Sequence, residues 1–200
     1  MKRVVDIEAI RVPKGPIDTK TYVIAGGPCS GKTTLLKALA SRGYVVEFEP
    51  AEELLRQGIA QGQSVQDVRR DPIAWQERVV RADMSLFESI SPDNLTFVDT
   101  SLIETLVFCR RVGIEFGSHL QAYVRRVRFA GVFFLEPLER YESTAVRMED
   151  QSTSHGLGAE ILETYDEFGY RPHRLAHVPS APSDDRIDQL LKMLPSEKTN

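Results

Sequence analysis

The chain has 200 residues, 42% of them hydrophobic, with a formal net charge of −4. That length suits one globular domain with a substantial core, and the acidic balance is opposite to the basic footprint of a nucleic-acid binder, so no nucleic-acid partner is expected. The two cysteines, Cys29 and Cys109, make no disulfide framework, and no apolar run approaches the ~20 residues that span a bilayer.

The start, Met1-Lys2-Arg3-Val4-Val5-Asp6, meets an acid at once and does not read as a signal peptide. No membrane association is expected, and the cytoplasm is the expected location. Residues 1–20 carry Pro13, Gly15 and Pro16 and read as an N-terminal extension with one short strand over Val4–Ile10. The main domain is expected over 21–195.

It opens with an apolar run, Tyr22–Ala25, read as a strand. Gly26-Gly27-Pro28-Cys29-Ser30-Gly31-Lys32-Thr33 follows, then a helix over 32–41. This is G-x-x-x-x-G-K-T, the phosphate-binding loop, in the strand–loop–helix context the motif requires. Glycines let the backbone turn sharply and approach an anion. Loop amides and the positive end of the helix then face the phosphates. The nucleotide-binding set is therefore Gly26, Gly27, Pro28, Cys29, Ser30, Gly31, Lys32, Thr33 and Thr34. Lys32 is expected on the β- and γ-phosphates and the Thr33 hydroxyl on Mg²⁺.

The next strand, Tyr44–Phe48, ends in Glu47-Phe48-Glu49-Pro50. Glu49 is a candidate for taking the proton of an attacking hydroxyl; alternatively it is a first-turn acid of the helix over 51–57, favoured by the helix dipole. Asp71-Pro72 starts a helix over 72–90, with apolar residues at 75, 79, 82, 86 and 90. Ser91-Pro92-Asp93-Asn94 turns into the strand Leu95–Val98, and Asp99-Thr100-Ser101 follows. Asp99 is a candidate Mg²⁺ ligand, direct or through water, or else an N-cap of the helix over 101–112.

A helix over 118–128 and a strand over Val132–Leu135 come next. The polar stretch after them, ending near Gly156 and Gly158, reads as a lid over about 138–158. Its Arg140 and Arg147 are candidates for neutralising charge on a transferring phosphoryl group, or for surface pairing with neighbouring glutamates. A helix over 159–168, a strand over Leu175–Val178 and a helix over 184–193 close the chain. The arginine clusters at Arg69-Arg70, Arg110-Arg111 and Arg125-Arg126-Val127-Arg128 read as solvated helix faces. Strand–helix alternation with short apolar strands argues for a doubly wound α/β sheet binding ligands at the strand C-termini.

On these motifs the chain resembles the small P-loop kinase-like proteins called AAA domain ATP-binding proteins. These are related to nicotinamide-riboside kinase domains and more distantly to deoxynucleoside and thymidylate kinases. The resemblance covers about 21–195. It rests on Gly26–Thr34, Val45–Ala51, Phe97-Val98-Asp99, Arg147–Asp150, Thr164–Tyr170, and Val178-Pro179 leading into Asp185-Arg186-Ile187. It implies a P-loop NTPase fold: a kinase-like three-layer α/β/α domain with a mainly five-stranded parallel sheet. It also implies Glu49 near the acceptor, Asp99 near Mg²⁺ and Arg147 in the lid. Trp75-Gln76 is similar to the aromatic–Gln pair that reads a nucleobase in those kinases, while helical spacing makes Trp75 a core residue.

Two positions depart from the family. Thr100 stands after Asp99, and Glu52 three residues after Glu49, where relatives often carry arginine. The first reading is thus an ATP-dependent, Mg²⁺-requiring kinase for a small hydroxylated or nucleoside-like acceptor. The alternative is a nucleotide-dependent regulatory NTPase that acts on a protein partner. No Asn-Lys-x-Asp guanine motif occurs, which favours ATP.

Overall fold

The computed structural model describes residues 3–7, 10–28, 30–137, 151–176 and 184–195. Its central sheet is built from five of the short apolar runs: β3 (Thr21–Ala25), β4 (Val45–Glu47), β5 (Thr96–Val98), β8 (Gly131–Leu135) and β9 (His173–Leu175). They lie in the order β4-β5-β3-β8-β9, and every pairing is parallel. The chain order reverses around β3, so the loop leaving β3 sits at the switch point where open α/β sheets hold ligands.

Alternation along each strand makes the layers. Tyr22, Ile24, Phe97, Phe133 and Leu135 point to one face, where they pack with Leu35, Leu36 and Leu39 of α1 (Lys32–Ser41) and with Ile187 and Leu190 of α8 (Asp184–Met193). Tyr22 stacks between Phe97 and Phe133 there, with centroids 5.7 and 5.8 Å away. Val23, Ala25, Val98, Val132 and Phe134 point to the other face. Four helices supply its apolar partners: α4 (Pro72–Ser89), α5 (Leu102–Arg111), α6 (Ser118–Arg126) and α7 (Gln151–Glu167). The expected three-layer α/β/α architecture with a five-stranded parallel sheet is therefore what the chain forms.

A third, smaller cluster joins α2 (Pro50–Ala60), α3 (Val65–Val68) and α4 through Ala51, Leu55, Val68, Trp75 and Val79. The short α3 was not expected; it is stabilised by a capping box in which Ser64 and Asp67 exchange side-chain and backbone bonds.

Several boundaries differ from the sequence reading. The N-terminal strand is shorter than Val4–Ile10: β1 (Arg3–Val5) pairs in parallel with β6 (Ile114–Phe116), and β2 (Ile17–Asp18) with β7 (Val127–Arg128). The helix expected over 118–128 stops at Arg126 because Val127 and Arg128 enter that pairing. Val5 and Ile10 are buried in the main core. Asp6 Oδ1 accepts the Leu120 N–H at 3.0 Å and Oδ2 the His119 N–H at 3.2 Å, which caps α6 from a distant part of the chain. The strand expected over Leu175–Val178 lies three residues or so earlier, at His173–Leu175, with Val178 outside the described residues.

The helix expected over 159–168 begins at Gln151, so Gly156 and Gly158 are helical rather than a hinge. At Gly158 a Cβ would meet the Phe134 ring at 3.4 Å, an ordinary packing distance, so α7 lies against the sheet here without requiring glycine. The rest of the expected lid, 138–150, lies outside the described residues.

Candidate phosphate and acceptor site

The phosphate side is set by how β3 ends. Gly26 has φ +148, and a Cβ there would fall 2.8 Å from Ser30 Oγ and 2.9 Å from the Leu135 carbonyl oxygen. Only glycine lets the loop turn this tightly against the end of β8. Gly31, at φ +94, stands at the N-cap of α1 and provides no side-chain cap. The first amides of α1 are thus left for an anion. The Lys32 ammonium folds back over the loop and donates to the Gly26 carbonyl at 2.9 Å and the Gly27 carbonyl at 3.3 Å. Ser30 Oγ is buried without a hydrogen-bond partner. Cys29 lies outside the described residues, and Thr34 is exposed on the first turn of α1.

Thr33 and Asp99 lie side by side. The Thr33 hydroxyl donates to Asp99 Oδ2 at 3.3 Å. Asp99 is 4% exposed, and its Oδ1 is buried with no partner among the described residues. It does not cap α5; Ser101 does, its Oγ accepting the Glu104 N–H at 3.1 Å. Burial pushes the Asp99 carboxyl up to about 7; Lys32 opposes that rise, and Glu49 and Glu52 add to it. A buried carboxylate oxygen without a donor, next to a hydroxyl at the head of a phosphate-binding loop, is the donor set a hard divalent cation uses. These two residues fit Mg²⁺.

The acceptor side is acidic and deeper than the sequence indicated. Glu49 occupies the N-cap position of α2, but its side chain does not cap the helix. Its charge raises the carboxyls of Asp99, Asp83 and Glu104, so the four acids share one field. Asp83, on α4, is fully buried. Its Oδ2 accepts the Thr105 hydroxyl, and its Oδ1 has no partner. Burial first, then Glu49, drives Asp83 to about 8 against the Thr105 bond. Glu104, on α5, is pushed to about 8 by burial, opposed by Lys32 and by the bond from Tyr165.

A closed ring of bonds holds Glu104: Tyr165 Oη donates to Glu104 Oε1 at 2.9 Å and lies 2.7 Å from Ser101 Oγ. Sequence reasoning assigned no site role to Asp83, Glu104, Ser101 or Tyr165. The available signal was an acid inside otherwise apolar helix faces, at Asp83 among Val79, Val80 and Phe87 and at Glu104 among Ile103 and Leu106.

Trp75 belongs to the core between α2 and α4, 6% exposed, with the Arg69 and Arg78 guanidinium carbons 5.4 and 5.8 Å from its ring centroid. Its neighbour Gln76 keeps Oε1 buried without a partner. Arg140 and Arg147 lie outside the described residues. Of the arginine clusters, Arg110 and Arg111 pair with Glu167 and Glu160, and Arg128 donates to the Phe168 carbonyl while its guanidinium sits 4.0 Å from the Tyr170 ring centroid.

A parallel β4-β5-β3-β8-β9 sheet, with a Gly-rich loop and lysine leaving the central strand, defines a P-loop protein of the kinase-like type. The sequence profile of the AAA domain family matches residues 21–184, and the chain belongs to that family. No curated protein matches the chain in sequence. Among solved structures, the chain is similar to deoxyadenosine kinase from M. mycoides, determined with dCMP and dCDP. That match has a TM-score of 0.57 and 15% identity, and covers 86% of this chain and 96% of the kinase.

It is also similar to NadR protein in complex with NR, with a TM-score of 0.59 and 18% identity. That match covers 91% of this chain but only 54% of NadR, so the chain spans about half of that protein. Shikimate kinase from Acinetobacter baumannii in complex with shikimate matches with a TM-score of 0.54 and 15% identity, over 94% of this chain and 97% of that one. At these identities the likeness is one of fold. Among the described residues, no helix is long and apolar enough to cross a membrane.

Proposed function

We propose that the protein is an ATP-dependent, Mg²⁺-requiring phosphotransferase acting on a small hydroxylated, nucleoside-like metabolite. The observation that carries this reading is the pairing of Thr33 with Asp99 beside the Lys32 loop, with an Asp99 oxygen that is buried and has no partner among the described residues. The amides of the loop and the first turn of α1 hold the phosphates, and Lys32 exchanges its bonds to the Gly26 and Gly27 carbonyls for phosphate oxygens. Thr33 and Asp99 would hold Mg²⁺, which would supply neutralisation of charge on the phosphate oxygens.

Glu49, at the exit of β4, takes the proton of the acceptor hydroxyl as its oxygen bonds to the γ-phosphorus and the bridging P–O bond to ADP breaks. Gln76, with its buried carbonyl oxygen, supports a base-like acceptor carrying N–H donors. Arg140 and Arg147, outside the described residues, are the candidates for neutralising charge on the transferring phosphoryl group. The kinase likenesses support this reading through the fold they share with the chain.

One observation favours the regulatory reading as the second choice. Glu52 is exposed and Thr100 is buried at the two positions where relatives often carry arginine, so the acceptor side lacks those cations at these positions. A phosphorylated acceptor is disfavoured by this, and a slow nucleotide-dependent switch needs no acceptor at all. ADP formation from ATP–Mg²⁺ by wild type and Lys32→Ala, with and without pooled nucleosides and vitamin-like alcohols, separates the two. Lys32-dependent turnover that rises with one pool supports the kinase. Slow Lys32-dependent turnover indifferent to every pool sinks it in favour of the switch.

A further inference from the structure

Arg186, in the first turn of α8, is 7% exposed, an unusual place for a guanidinium. Its hydrogen bonds among the described residues all end on main-chain carbonyls. Nη1 donates to Ser30 at 2.6 Å, Nη2 to Glu136 at 2.8 Å and Nε to Ala176 at 3.4 Å. These carbonyls belong to the phosphate loop after β3, to the residue directly after β8 and to the residue directly after β9. β3, β8 and β9 are neighbours in the sheet, so one planar fork ties together the exits of three adjacent strands. A lysine, with a single nitrogen, has no equivalent geometry.

The bond to Ser30 has a consequence for the loop. The Ser30 carbonyl and the Gly31 N–H belong to one planar trans peptide and point in opposite directions. A guanidinium that fixes the carbonyl oxygen therefore fixes the amide hydrogen on the far side. Gly31 has φ +94, and without a side chain this peptide has little else to hold its orientation. Arg186 Nη1 lies 3.5 Å from where a Gly31 Cβ would be, so the guanidinium packs directly against the residue whose amide it orients.

We propose that Arg186 is a positioning residue for phosphate binding: by holding the Ser30 carbonyl, it presets the Gly31 amide toward the phosphates. This rests on the nucleotide reading above. It adds a link between the phosphate loop and the last two strands of the sheet, which a change at either strand exit would transmit to the loop.

The test uses the full chain labelled with ¹⁵N. In the ligand-free wild type, the Arg186 guanidinium N–H resonances are expected to be separately resolved and slow to exchange; averaging by free rotation of the guanidinium would overturn the proposal without any variant. ADP titration by calorimetry then compares wild type with Arg186→Lys and Arg186→Ala below their melting temperatures. Both variants are expected to bind ADP at least about tenfold more weakly. Both are also expected to lose the shift that the Gly31 amide shows when wild type takes up ADP.

Arg186→Lys binding ADP as wild type does, with the Gly31 shift intact, would show that charge alone suffices and refute the positioning role. A role confined to stability would lower the melting temperature and leave both the ADP affinity and the Gly31 shift unchanged, which also refutes it. Wild type binding neither ADP nor pyrophosphate would overturn the nucleotide reading itself, and the phosphate role of Arg186 with it.

Discussion

The two halves of the site are built by different means. On the phosphate side, the groups that matter are main-chain amides and one lysine, placed by a contiguous run from Gly26 to Thr33. On the acceptor side they are carboxyls from four separate segments: Glu49 after β4, Asp83 on α4, Asp99 after β5 and Glu104 on α5. The first half offers positive partial charge at the C-terminal end of the central strand. In the second, burial first and the charge of Glu49 after it hold Asp83, Asp99 and Glu104 up near neutrality. On the proposed reading, a phosphoryl group moving between them would leave a field that stabilises its charge and approach one lined by acids. That division is what a transferase needs and what a simple anion-binding loop does not.

The largest effects should come from removing one half while the other stays intact. Lys32→Ala deletes the ammonium that now bonds to the Gly26 and Gly27 carbonyls. Turnover of ATP is expected to fall by roughly 10²–10³-fold, the scale for losing one preorganised donor at a developing charge. A loss below tenfold in a steady-state ADP assay would mean that Lys32 does not touch the reacting phosphate.

Glu49→Gln cuts the other half. Phosphoryl transfer to a true acceptor is expected to drop by about 10²-fold or more, the contribution of a positioned general base. ADP affinity should stay within about twofold, because Glu49 is not part of the phosphate loop. Transfer at the wild-type rate would remove Glu49 from the chemistry. Equal losses in transfer and in ADP binding would mean that the two halves are not separable.

The same contrast explains what the sequence made legible. The phosphate loop, β3 and α1 were readable because their geometry is local: an apolar strand, glycine spacing and a helix follow one another between Thr21 and Ser41. Glu49 and Asp99 were readable as acids at strand ends. Asp83, Glu104, Tyr165 and Arg186 were not, because their roles depend on packing between elements far apart in sequence. Tyr165 reaches Glu104 across 61 positions and Arg186 reaches Ser30 across 156. The short β6, β2 and β7 escaped for a related reason: strands of two or three residues have no period to detect, and only their partners make them strands. Trp75 showed both a motif and a periodicity, and it is a core residue in the structure, where Ala51, Leu55, Val68 and Val79 surround it.

A smaller effect tests how strictly the phosphate loop is shaped. Gly26→Ala places a Cβ within 3 Å of Ser30 Oγ and the Leu135 carbonyl at a φ of +148. Relief requires the loop to move off β8, at a cost of about 1–3 kcal/mol in local strain. The expected result is weaker ADP binding with only a modest drop in melting temperature. Unchanged ADP affinity would mean that the loop tolerates displacement from β8 and that its contact with the sheet does not set the phosphate site.

The smallest effect lies within the acceptor half and reads its protonation directly. The folded chain raises the Asp83 carboxyl from 3.8 to about 8, through burial first and the charge of Glu49 after the Thr105 bond is set against them. Between those two values the folded state holds a proton that the unfolded chain releases, so stability falls as pH rises through this window and is greatest below it. Glu104 and Asp99, raised to about 8 and about 7, act in the same direction.

Asp83→Asn keeps a neutral side chain of the same shape that still accepts from Thr105, and it has no proton to lose. Its melting temperature should come closest to wild type below about pH 4 and exceed it by a growing margin as pH rises toward 9, flattening part of the pH profile. A variant less stable than wild type at pH 9 would show that Asp83 is ionised there in a site that welcomes the charge. The four acids would then form an anionic pocket for a cationic acceptor rather than a proton-holding wall beside a neutral one.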